Sequence, residues 1–144
     1  MPGTAPWFAE AMEWNPDDAR RWAEEILGQL GAPDGVTLEV TGGDFEDDWW
    51  GGLVGPGAAV WLASGTAFSA NVCLEAVLTP AEAVALLADR MQDFVLEATC
   101  GAALPSCREG HQHPAAVAVS AGTAWWVCPH GGQRLRSVLG AAPG

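Results

Sequence analysis

Six side chains in the last third of the chain have the chemistry of a metal site. Cys100, Cys107, His111, His113, Cys128 and His130 include every histidine and three of the four cysteines in the sequence. Thiolate and imidazole are the donors zinc takes in a tetrahedral set of four. Chance rarely gathers them within so short a stretch. The intervening residues predict a hairpin, with Ala115–Ser120 and Thr123–Cys128 as strands and Ala121-Gly122 at the turn. If Ser120 faces Thr123, paired residue numbers sum to about 243. His113 then lies opposite His130, and Ala115 opposite Cys128. The expected ligand set is Cys107, His113, Cys128 and His130: two donors from a loop and two from the open end of a hairpin. His111 is the alternate for His113, and Cys100 for one of the histidines. Zinc is the expected cofactor, in a structural site that helps a Gly- and Pro-rich tail to fold.

The Trp126-Val127-Cys128-Pro129-His130-Gly131-Gly132 turn is similar to zinc ribbons, over about a quarter of the chain. The resemblance implies a metal-stapled hairpin and no particular function. A catalytic zinc would keep one position open for water and would need a general base nearby. Glu109 is the only acid after residue 99, and it reads as a solvated loop residue. No Ser/His/Asp set is available, because all three histidines lie in the metal region. Cys73 has no basic neighbour in sequence to activate it. The Gly pairs lack the lysine that a phosphate loop requires.

The elements that must position these groups are legible from spacing. Residues 1–14 read as an N-terminal arm pinned by Trp7, Phe8 and Trp14. Asn15-Pro16-Asp17-Asp18 starts a helix, and Ala19, Trp22, Ala23, Ile26, Leu27 and Leu30 make its apolar stripe. Val36–Val40 reads as a short strand, followed by a turn-rich acidic loop from Thr41 to Asp48. Ala58–Ala63 reads as a buried strand with Trp61 in the core. From Phe68 to Ala76 apolar and polar residues alternate, as in a half-buried antiparallel strand. Thr79-Pro80-Ala81-Glu82 opens a second helix reaching about Thr99. The expected fold is α+β: a small antiparallel sheet packed by two helices over residues 15–99, with a zinc-ribbon-like hairpin subdomain over 100–144.

Charge bounds the partners. The 144 residues carry 18 acids and 6 arginines, a net charge of −12, with no lysine. Residues 1–99 hold a net −14, and residues 100–144 a net +2. Such a body repels phosphate backbones and anionic membranes, so direct nucleic-acid or membrane binding is not expected. No apolar run approaches the roughly 20 residues of a membrane span, and the N-terminus lacks a secretory pattern. A cytoplasmic location is expected. Asp44, Glu46, Asp47 and Asp48, beside Trp49 and Trp50, form a candidate docking face for a protein with a basic surface. The expected function is that of an acidic accessory or protein-interaction protein without catalysis. The alternatives are a small zinc enzyme with an open coordination position and, behind it, an acidic nucleic-acid mimic.

Overall fold

The computed structural model describes residues 13–32, 34–45, 55–65, 68–99 and 113–139. Helix α1 spans Pro16–Gln29. Its amide ends are satisfied by a reciprocal box: the Asp18 N–H donates to Asn15 Oδ1 at 2.9 Å, and the Asn15 N–H donates to Asp18 Oδ2 at 3.0 Å. Ala19, Trp22, Ala23 and Ile26 form its buried stripe. The helix ends at Leu30, and Gly31 follows at φ 68°, the left-handed conformation that closes many helices. Trp14 packs on Trp22 with ring centroids 5.9 Å apart, and its indole N–H donates to the Leu78 carbonyl at 2.9 Å. That part of the arm is therefore pinned. Trp7 and Phe8 lie outside the described residues.

Strands β1 (Val36–Phe45), β2 (Gly55–Ser64) and β3 (Phe68–Glu75) form an antiparallel sheet in that order. Val40, Val60 and Val72 stand in one cross-strand row, and Leu38, Leu62 and Ala70 in the next. This face packs under the helices. Two expectations are corrected here. The strand expected to end at Val40 continues to Phe45, so Thr41–Asp44 belong to the sheet rather than to a loop. Gly42, Gly43 and Asp44 carry turn composition, but Ala58, Gly57 and Pro56 supply an extended partner for each, and pairing overrides local propensity. Trp61 is half-buried rather than in the core: it sits on the face of β2 opposite Val60 and Leu62, in a row with Glu39 and Asn71.

Helix α2 spans Pro80–Ala98 behind a Thr79/Glu82 capping box. It buries Val84, Leu87, Met91, Phe94 and Val95, and it contacts both β3 of the first sheet and the strands of a second. That second sheet has the order β4 (Ala116–Ser120), β5 (Thr123–Val127), β6 (Arg134–Ser137). The C-terminal element is thus a three-stranded sheet and not a lone hairpin. The two helices and two antiparallel sheets make an α+β fold with one continuous core, in which Trp126, Val138, Ala115 and Ala124 join Ile26, Leu87 and Met91. Two glutamines tie the layers by hydrogen bonds. Gln29 of α1 accepts from the Trp126 indole at 3.0 Å and donates to the Val138 carbonyl. Gln92 of α2, only 6% exposed, donates to the Ala115 carbonyl at 2.9 Å. Among the described residues no helix is long and apolar enough to cross a membrane.

Candidate functional site

The mouth of the β4–β5 hairpin is set by its turn. Ala121 and Gly122 both have positive φ, 52° and 75°. This is the two-residue turn whose twist matches that of the flanking strands. Ser120 therefore faces Thr123, Ala118 faces Trp125 and Ala116 faces Val127, the register read from the sequence. Continued past the last pair, it brings His113 opposite His130. Their rings meet edge to face, with centroids 4.7 Å apart and planes at 74°. His113 Nδ1 lies 3.3 Å from the Pro114 carbonyl. Beyond β5 the chain is closed by two backbone bonds: Cys128 N–H to the Gln133 carbonyl at 2.8 Å, and Gly132 N–H to the Cys128 carbonyl at 2.7 Å. They hold the Pro129-His130-Gly131 turn in place.

Of the other expected ligands, Cys128 alone lies within the described residues. Cys128 is 1% exposed, in register with the equally buried Ala115. Cys107, His111 and Cys100 lie outside the described residues. Among the described residues no three His, Cys, Asp or Glu side chains are grouped so as to hold a metal ion; the imidazole pair is what the fold brings together there.

Elsewhere the fold makes neighbours that spacing does not show. Cys73, half-buried on β3, lines a pocket of about 110 Å³ with Asn71, Val72, Leu86 and Arg90. Arg90 is 17 positions away on α2, so its proximity is purely tertiary. Of the adjacent tryptophans, Trp126 is fully buried while Trp125 is half-buried on the other face, with the Arg134 guanidinium 5.0 Å above its ring.

The acidic groups also sort by element. On α1, Arg21 pairs with Asp18 at 2.8 Å and Arg20 reaches Glu24 at 4.0 Å. On α2 the exposed Asp89, Asp93 and Glu97 follow one another at intervals of four, with no basic residue in the last turn. Burial pushes the Asp93 carboxyl above its ordinary value; Asp89 adds to this, Arg90 opposes it, and Glu97 adds a smaller push. Sequence reading missed this stripe, although its i, i+4, i+8 spacing is visible once the helix is drawn. Of the docking residues expected from sequence, Asp44 is exposed near the end of β1. Glu46, Asp47, Asp48, Trp49 and Trp50 lie outside the described residues. The second sheet is the converse: residues 113–139 contain two arginines, two histidines and no carboxylate. The chain matches no known family model, no curated protein and no solved structure.

Proposed function

We propose that this chain is a small acidic accessory protein that docks onto a protein partner through carboxylates facing a basic surface. The reading is carried by the α2 stripe. Three carboxylates one turn apart repel one another, each neighbouring pair costing about 0.2–0.5 kcal/mol. Glu97, in the last turn, also sits where the helix dipole is already negative. A cationic partner turns both penalties into attraction. Asp44, exposed near the end of β1, is a further carboxylate open to such a partner, and Glu46, Asp47, Asp48, Trp49 and Trp50 complete the docking set expected from sequence. In this reading the docking protein is not an enzyme. Zinc at the hairpin mouth, with donors drawn from Cys107, His113, Cys128 and His130, serves as its structural cofactor.

The test is capture of partners from lysate on the immobilised full chain over a salt series, beside an Asp89→Asn/Asp93→Asn/Glu97→Gln variant. The expected outcome is a partner of basic surface whose retention falls steeply with salt and drops at least tenfold with the variant. Retention indifferent to salt and to these three carboxylates refutes the reading.

A further inference from the structure

We infer that β4 is a self-pairing edge: two copies of this chain join antiparallel along Ala116–Ser120, about a two-fold axis at Ala118, and their second sheets become one. The inference goes beyond the docking reading and does not depend on it. The order β4-β5-β6 puts β4 at a border of its sheet, where Ala118, Val119 and Ser120 are exposed. The hairpin settles which backbone groups of β4 face outward. Across a two-residue turn the flanking residues exchange both hydrogen bonds, and bonded pairs alternate from there. Ser120, Ala118 and Ala116 are therefore bonded to Thr123, Trp125 and Val127, while Val117 and Val119 turn their N–H and C=O groups away from β5. The far side of β5 agrees. Ala124, opposite Val119, has its carbonyl turned away from β4, where it accepts from the Val138 N–H at 3.0 Å.

The occupant is a second copy because β4, Ala-Val-Ala-Val-Ser, is nearly the same read in either direction, as an isologous contact requires. Turned about Ala118, it sets Val117 against Val119 of the second copy, Ala116 against Ser120, and Ala118 against itself. The outward N–H and C=O groups of both valines then meet their counterparts as backbone hydrogen bonds. Side chains agree with the backbone. Val117 stands in the row of the buried Trp126, and Val119 in the row of the buried Ala124. Val119 is nevertheless 44% exposed, and the pairing covers it with Val117 of the second copy and runs both rows through the axis. Charge favours the same contact. Border strands are commonly guarded by charged side chains: β1 carries Glu39 and Asp44, β3 Glu75, and β6 Arg134 and Arg136, but β4 carries none. Two chains of net charge −12 can close here because residues 113–139 hold no carboxylate.

The test is sedimentation equilibrium of the tag-free full chain over a concentration series at low and high salt, for the natural sequence, Val119→Lys and Val77→Lys. Val77 is the matched control, an exposed valine away from β4 that receives the same charge. The expected result is a monomer–dimer equilibrium that tightens as salt screens the like net charges, the reverse of the salt response of acidic docking. Its dissociation constant rises at least tenfold in Val119→Lys and changes less than threefold in Val77→Lys. Register is read by mild oxidation of Ala118→Cys and Ser120→Cys. At the axis the two Cβ atoms stand about 4.5–5.5 Å apart, near disulfide reach, whereas the two copies of position 120 are roughly 13 Å apart along the strands. Ala118→Cys is expected to cross-link between chains at least tenfold faster than Ser120→Cys or the natural sequence. A monomer under every condition overturns the inference. So does a dimer that salt dissolves, one that Val119→Lys leaves intact, or equal cross-linking of the two cysteine variants. Val119→Lys leaves Asp89, Asp93 and Glu97 in place, so partner capture by that variant tests the docking reading whether or not β4 self-pairs.

Discussion

Gln29 is a surface-type residue at the end of α1 that does interior work. Its amide oxygen accepts the indole N–H of the fully buried Trp126, and its amide nitrogen donates to the Val138 carbonyl. Neither group has water to fall back on once the second sheet is in place, so loss of the amide leaves a donor and an acceptor unsatisfied. Gln29→Ala is expected to cost about 1–3 kcal/mol in urea unfolding. A conservative Gln29→Glu, which keeps the acceptor but not the donor, should fall between the two. Ala121 is the opposite case. At φ 52° it is the one described non-glycine residue in the left-handed region, where a Cβ crowds the carbonyl that follows. Ala121→Asn supplies the Asn-Gly pair that this turn prefers. A gain of about 0.5–1 kcal/mol is expected, read as an upward shift of the urea midpoint at constant slope. The hairpin register was legible because the turn length and the small-residue pair at 121–122 leave one geometry. Arg90 beside Cys73 was not, because nothing local links positions 17 apart on different elements.

At the scale of elements, the signals that were strong locally were the reliable ones. Asn15-Pro16 and Thr79-Pro80 start their helices, and each cap is doubled by an acid three residues on. Both helices follow their apolar stripes. The misread boundaries lie where local and cross-strand preferences conflict. Gly42-Gly43-Asp44 is turn-like in isolation and strand when paired with 56–58. Strand β6 is four residues long, with two arginines, and gave no periodic signal. It exists because β5 offers it an edge, with a bulge between Trp126 and Val127 absorbing the mismatch. Helix α2 also carries the pH dependence. A carboxyl held above its unfolded value of 3.8 binds its proton more tightly in the native state. Its contribution to stability is complete below pH 3.8 and is lost as pH rises through the native value. Asp93→Asn is therefore expected to stabilise the fold at pH 7 by a few tenths of a kcal/mol, the order of like-charge pairs four apart. That gain should shrink towards zero in unfolding curves recorded at progressively lower pH, down to 3.8. A gain independent of pH would remove the electrostatic cause.

For the whole molecule, the two sheets share one core through α2, Gln29 and Gln92. Neither sheet has an interior of its own to fall back on. Unfolding is expected to be a single transition, with tryptophan fluorescence and far-ultraviolet circular dichroism superimposing along the urea axis. A fragment of residues 1–99, which lacks Trp126 and Val138, should show no cooperative transition. A separate transition for the C-terminal sheet would refute this. The same shared core separates charge in space, with the acids on the helices and first sheet and a carboxylate-free second sheet beyond them.

The sequence by itself determined what depends on near neighbours. Capping boxes, stripes at helical spacing, alternation along β3 and the two-residue turn all act over a few residues, and their physics is complete within that span. So is the charge imbalance, which is a property of composition. Only the tertiary structure decided which of the described side chains meet. Cys128 and His130 are two residues apart, yet one is sealed in the interior and the other lies exposed against His113. Burial depends on what the other layers place over each side chain, and that is settled when the helices and both sheets close on one core.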